Sequence, residues 1–234
     1  MNKFVAKYGR ILVPLITPYG ENEEVDYVQY EKLIDYIITN KLGDSLIVTG
    51  TTGEASLLTF DERVKLMETA IKAAAGRMPV IAGTGCASTK ETIALTQKAE
   101  ELGIETCLVV VPFYNKPTQE GIYLHYKKLA ENTKVNIMLY NIPIFVGVNM
   151  EPETVRRLAE IPNIIGINRL SDFFSHFQIK ICLGLKKDDI LWPESRKPVL
   201  YNFSIQKCSI IIFIQKNCRQ TRYPFVDMNR CNSF

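Results

Sequence analysis

The chain has 234 residues, 47% of them hydrophobic, and a net charge of +3 at neutral pH, figures that suit one large soluble domain or two small ones. It holds no run of about 20 apolar residues, which excludes a membrane-spanning helix, and its opening MNKFVAKYGR lacks the apolar core of a secretory signal. A cytoplasmic protein with reduced cysteines is therefore expected.

The six cysteines form no CxxC pair, and His125 and His176 lie far apart, so no metal site is expected. The net charge conceals an asymmetry. Residues 169–234 hold 11 Lys and Arg against 5 Asp and Glu, whereas residues 1–168 hold 17 against 20. A nucleic-acid surface needs its basic residues clustered on one element. These are scattered, and no nucleic-acid partner is expected.

Taken in chain order, six apolar runs have strand character: ILVPLIT (11–17), SLIVTG (45–50), PVIAGTG (79–85), TCLVVVPF (106–113), NIMLYN (136–141) and NIIGIN (163–168). Amphipathic helical stretches separate them. Asp26-x-x-Gln29, Thr59-x-x-Glu62 and Ser88-x-x-Glu91 match the capping-box pattern or close variants of it. Gly43, Gly76 and Gly103 fall where helices should stop, and Pro152 suits a first helical turn.

Short continuous apolar strands alternating with helices predict a parallel sheet covered by helices. A doubly wound sheet would carry a glycine-rich phosphate turn after its first strand, and TPYGENEEVDY has no GxGxxG. A (β/α)8 TIM barrel instead gathers polar residues at the ends of successive strands. Thr17, Thr49 to Glu54, Thr84-Gly85, Tyr114-Asn115, Tyr140-Asn141 and Asn168 all occupy strand ends. The barrel is the expected fold, with only about six βα units recognisable.

The turn GTTGE (50–54) brackets two hydroxyls with glycines, a composition suited to a small carboxylate or oxyanion. A tight βα loop with a capping threonine is the alternative, less favoured reading. PFYNKPTQEG (112–121) and LYNIP (139–143) place Tyr114, Asn115, Tyr140 and Asn141 at the next strand ends. Together with the strand IIGI, these motifs resemble, in order and spacing, the dihydrodipicolinate synthase/N-acetylneuraminate lyase family of class I aldolases, over about residues 10–167.

The resemblance implies a TIM barrel, usually a homotetramer, that needs no cofactor or metal. Its members hold pyruvate, or a 2-keto acid that yields it, as a Schiff base on a strand-six lysine. Thr51 and Thr52 match the threonines near the pyruvate carboxylate, and Thr52 also belongs to a hydroxyl relay. Tyr114 matches the tyrosine that completes that relay in a neighbouring subunit's site. Tyr140 matches the tyrosine that shuttles protons beside the imine. The implied reaction condenses pyruvate with L-aspartate semialdehyde, the 4-hydroxy-tetrahydrodipicolinate synthase step of lysine biosynthesis. Cleavage of N-acetylneuraminate or of 2-keto-3-deoxy sugar acids is the alternative within the family.

Two departures qualify this. Asn168 stands where the family motif GIK has its lysine, and an amide cannot form an imine; Arg169 stays protonated and does not replace it. Phe145 stands where these synthases carry an arginine for carboxylates, so it either packs on a loop or marks a different substrate. Val146 stands where a small hydroxyl residue is usual.

Beyond residue 168 the composition changes. Residues 169–234 contain no alanine, one glycine (Gly184) and four of the six cysteines, and the family's seventh and eighth strands are not recognisable. The chain is therefore expected to comprise a barrel-derived part, 1–168, and an unrelated-looking tail, 169–234, frameshifted or divergent. A chain of this kind is expected to be catalytically inactive, a pseudoenzyme or gene fragment, with exposed sheet edges and an aggregation-prone SIIIFI at 209–214.

Overall fold

The computed structural model describes residues 3–169 and the strand at 180–183. Helix α1 (Lys3–Tyr8) leads into β1 (Leu12–Pro14), α2 (Tyr27–Thr39) and β2 (Ser45–Val48). After two short 3-10 turns follow α3 (Phe60–Ala74), β3 (Val80–Gly83), α4 (Thr89–Glu101), β4 (Thr106–Val110), α5 (Gln119–Glu131) and β5 (Asn136–Asn141). Then come α6 (Pro143–Val146), α7 (Pro152–Leu158), β6 (Ile164–Arg169) and β7 (Lys180–Leu183).

Strands β1 to β6 pair in chain order and all in parallel, each joined to the next through helix-bearing connections. This is the (β/α) barrel arrangement, incomplete at six units. β7 then pairs with β6 in the opposite sense, Asn168 opposite Ile181 and Arg169 opposite Lys180. The sheet changes from parallel to antiparallel immediately after the site strand, and β7 covers the β6 edge that a six-stranded sheet would leave unpaired. β1 ends the sheet order. The expected role of residues 209–214 lies outside the described residues.

Side chains alternate across each strand, and two cores result. On the outer face, Leu46, Val48, Ala82, Cys107, Val109, Ile137 and Leu139 meet the apolar stripes of the helices. On the inner face, Leu12, Ile47, Ile81, Leu108 and Met138 form a second cluster with Phe4 and Tyr8 of α1. The Tyr8 hydroxyl hydrogen-bonds the Thr106 hydroxyl at 2.7 Å, and the Ser45 hydroxyl donates to the Tyr8 carbonyl at 2.6 Å. α1 thus plugs the amino-terminal end of the barrel interior. The carboxyl ends stay available for chemistry.

The helix signals hold at their amino ends. Asp26, Thr59 and Ser88 each cap through the side chain, and Thr59 with Glu62 makes the full reciprocal box. Pro152 is the first residue of α7. The carboxyl ends differ in one case. Gly76 and Gly103 take left-handed φ of 73° and 82° just past their helices, as a terminating glycine should, but after α2 Lys41 does so instead, at 53°. A Cβ on Gly43 would lie 2.3 Å from the Val13 side chain, so that glycine serves close packing on β1. Among the described residues no helix is long and apolar enough to cross a membrane.

Candidate active site

The strand ends converge on a polar rim built around strained backbone. Thr49 follows β2 with φ 52°, a left-handed conformation disfavoured for a β-branched residue. Its hydroxyl lies 2.7 Å from the Val48 carbonyl and 2.9 Å from that of Gly83. Thr51–Gly53 then form a 3-10 turn that ends on Glu54, also left-handed at 55°.

Within this turn the Gly53 and Ala55 N–H groups donate to the Gly50 carbonyl, and the Glu54 N–H donates to that of Thr51. The Thr17 hydroxyl donates to the Gly53 carbonyl at 2.7 Å. A Cβ on Gly53 would come within 2.9 Å of the Leu15 carbonyl oxygen, whereas one on Gly50 would meet only ordinary contact at 3.5 Å. The second glycine is therefore required by the approach of the β1 backbone, rather than by a ligand.

Arg63 of α3 clamps the end of β3, where the Gly83 carbonyl also meets the Thr49 hydroxyl. Its guanidinium is buried and donates to the Gly83 and Gly85 carbonyls at 2.9 and 3.2 Å, with the Cys86 Sγ 3.1 Å away. Sequence reasoning missed it. The available signal was a charged residue on the buried stripe Arg63, Leu66, Met67, Ala70, Ala74. Burial raises the Cys86 thiol despite Arg63, and pushes that of Cys107 up to about 12. Both remain protonated at neutral pH and supply no substitute nucleophile.

Tyr140 lies near the end of β5, half-buried. Burial moves the phenol above the ordinary tyrosine range, and the neighbouring Thr51 side chain opposes that shift. Its register partner on β6 is Asn168, which is buried. Parallel partners share a face, so Thr51, Tyr140 and Asn168 come together inside the barrel mouth. Arg169 pairs with Asn141 on the other face, a position from which it cannot take over the role of Asn168.

Thr52 is partly buried, and among the described residues its hydroxyl bonds neither Tyr114 nor Tyr140. Tyr114 stands apart, 89% exposed and left-handed at φ 72°. The hydroxyl relay that the resemblance implies is not formed among the described residues. Phe145 is 59% exposed and Ile144 64%, so Phe145 is not packed on a loop; Val146 beneath them is buried. Asn115 lies exposed on the rim. Asn141, fully buried, turns its amide to Asn149 and Met150. Among the described residues no group of three or more His, Cys, Asp and Glu gathers to hold a metal ion.

Chemically, the mouth offers two adjacent threonine hydroxyls for a small oxyanion and a phenol–hydroxyl pair for proton transfer. It presents an amide where a covalent step would require an amine.

The model of the dihydrodipicolinate synthetase family matches residues 7–192. The chain is 48% identical over 163 residues to a 4-hydroxy-tetrahydrodipicolinate synthase of Bacillus velezensis, covering 70% of this chain and 56% of that one. A synthase of Dehalococcoides mccartyi is 46% identical over 229 residues, covering 96% and 76%. Among solved structures, dihydrodipicolinate synthase from Aquifex aeolicus superposes with a TM-score of 0.67 at 44% identity, over 70% of this chain and 55% of that one. The Acinetobacter baumannii enzyme complexed with pyruvate gives 0.65 at 44%, over 68% and 54%. For the Bacillus velezensis relative and both structures, the matched region is little more than half of their length.

Proposed function

The chain belongs to the dihydrodipicolinate synthetase family, and from that premise we propose that its barrel mouth is a 2-keto acid site of the 4-hydroxy-tetrahydrodipicolinate synthase type. In this reading pyruvate is the ligand and L-aspartate semialdehyde the acceptor of the ancestral condensation, a step of lysine biosynthesis. The present chain binds the keto acid without capturing it. The observation that supports this reading is the register of Tyr140 with Asn168 on one face of the sheet, with Thr51 acting on the Tyr140 phenol.

The roles follow from chemistry. Thr51 and Thr52 hold the keto acid carboxylate, and Tyr140 is placed to exchange a proton through Thr51. With an amine at position 168 a protonated imine would form, and its neighbouring methyl could lose a proton to give a nucleophilic enamine. An amide nitrogen is delocalised into its carbonyl, so catalysis stops at binding. Tyr114, exposed and strained, is suited to a neighbouring subunit's relay, which makes a cytoplasmic homo-oligomer part of the proposal. The unit boundary is placed at residue 168, where the composition breaks and the sheet changes sense.

Exposed Phe145 and Ile144 favour a second reading of the acceptor. They put apolar surface where an arginine would hold a carboxylate, as suits an aldolase of N-acetylneuraminate or 2-keto-3-deoxy sugar acids.

Incubation with pyruvate and borohydride, followed by intact-mass measurement, tests the covalent part: no reduced adduct is expected. Titration calorimetry with pyruvate tests the binding part, with weak saturable heat expected for the unaltered chain and loss of it in Thr51→Val. An adduct on the unaltered chain overturns the non-covalent reading, and absence of binding overturns the keto acid site.

A further inference from the structure

The five connections that follow β1 to β5 at the barrel mouth, residues 15–26, 49–59, 84–88, 111–118 and 142–151, contain a single Lys or Arg, which is Lys116. The same connections hold six acidic residues, Glu21, Glu23, Glu24, Asp26, Glu54 and Glu151. A mouth that takes an anion therefore has one loop cation to meet any further negative charge. Arg63 approaches from α3, but its guanidinium is committed to the Gly83 and Gly85 carbonyls and the Cys86 sulfur.

The structure also gives Lys116 a fixed seat. Tyr114 and Lys116 both take left-handed φ, at 72° and 47°, and between them the Asn115 N–H donates to the Phe113 carbonyl at 3.0 Å. Two such residues within three make a costly turn, which persists only where its surroundings hold it. The α6 segment lies against this turn. Its terminating Gly147 has φ 73°, and a Cβ built there would lie 2.9 Å from Cε of Lys116 and 3.7 Å from its Cδ and Cγ. The bare glycine thus receives the aliphatic stem, while the exposed residue keeps its ammonium in water. Exposed Ile144 and Phe145 belong to the same α6 segment and offer no charge of their own.

We propose that Lys116, seated on Gly147 beside Ile144 and Phe145, forms an outer subsite of the mouth that takes a second carboxylate, that of an acidic acceptor or of a keto diacid. The inference rests on the keto acid reading above. Within that reading it favours an acceptor that bears a carboxylate over a neutral sugar aldehyde. The strands that carry the two loops are neighbours, with Val110 of β4 in register with Tyr140 of β5, so the subsite adjoins the strand end that presents Tyr140. A ligand lying between the ammonium and the apolar α6 side chains displaces water there, and the pairing gains strength as the local dielectric falls.

Titration calorimetry of the full chain at low ionic strength, with pyruvate and with 2-oxoglutarate as probes, reads the subsite as the ratio of the two affinities. Lys116→Met keeps the stem and removes the charge, and should lower the 2-oxoglutarate to pyruvate ratio roughly three- to fivefold. Lys116→Arg should keep most of it. Added salt should shrink the ratio in the unaltered chain and leave it nearly fixed in Lys116→Met. A lysine that only packs on Gly147 would, when replaced, change both affinities together and leave the ratio and its salt dependence in place. Pyruvate binding with a ratio unmoved in Lys116→Met overturns this inference alone. Binding of 2-oxoglutarate that needs Lys116, without pyruvate binding, keeps the subsite and overturns the keto acid reading of the inner mouth. Absence of binding by either probe overturns the two together.

Discussion

Tyr140 and Asn168 are register partners on adjacent parallel strands, and their side chains leave the sheet on the same face. The relationship puts a half-buried phenol beside a buried amide. If the amide is the one missing chemical element at this spot, restoring an amine should restore covalent capture. Asn168→Lys is expected to gain a borohydride-trappable pyruvate adduct on that lysine, read by peptide mass mapping. Burial lowers a lysine pKa and so favours the nucleophilic free amine. A folded variant that gains no adduct would show that the strand end no longer holds catalytic geometry.

Thr51→Val should raise the Tyr140 pKa further, because the Thr51 side chain is the one contribution that lowers it. Removing that hydroxyl should cost at most ~1 kcal/mol of stability, measurable by urea unfolding. An unchanged midpoint would remove Thr51 from the Tyr140 environment.

His125 predicts an acid limb in stability. It is buried on α5 with Nδ1 2.9 Å from the Thr89 hydroxyl, its Nε2 has no hydrogen-bond partner among the described residues, and burial lowers its pKa to about 4. An unfolded histidine titrates near ~6.5. Between these values the unfolded chain binds the extra proton, so stability is at its full value above ~6.5 and falls as pH drops toward 4. The total effect is on the order of 3 kcal/mol. His125→Phe should flatten this part of the melting-temperature profile; an equally steep profile would place its origin elsewhere.

Arg63→Lys should not preserve the clamp on residues 83–86 at the end of β3. One guanidinium reaches two carbonyls and a sulfur from a buried position, a fork that a single ammonium cannot reproduce. A loss of about 2–3 kcal/mol is expected, and a near-neutral change in denaturant midpoint would contradict the clamp.

Gly83→Ala and Gly76→Ala should separate crowding from backbone conformation. A Cβ on Gly83 would lie 2.4 Å from the Thr49 carbonyl oxygen, while one on Gly76 meets nothing but must adopt φ 73°. The first should cost about 3 kcal/mol or more and disturb Thr49, the second ~1 kcal/mol. Equal thermal shifts would count against this distinction.

The amino acids alone made much of the barrel legible. Apolar runs of strand length, Thr59 with Glu62, and Pro152 declare their elements through interactions between residues close in sequence, where geometry is nearly settled by covalent connection. Thr51, Tyr140 and Asn168 were recognisable because strand ends in a parallel sheet can be counted. The family motifs gave them roles.

Other features depended on which distant surfaces meet. Gly43 resembled a helix stop and proved to be a packing glycine against Val13, because the clash belongs to a strand thirty residues away. Arg63 gave only the signal of a misplaced charge, since its acceptors sit on another βα unit. Asn149 gave none. The antiparallel turn of β7 against β6 was equally unreadable.

Local pattern determined the order of strands and helices and identified an amide at the sixth strand end, since these reside in side-chain type and spacing. Tertiary structure decided which residue pairs with Tyr140 across the sheet, which face Arg169 occupies, and how exposed Tyr114 is. Those are distances between segments far apart in the chain, set by sheet register and by how closely one backbone can approach another.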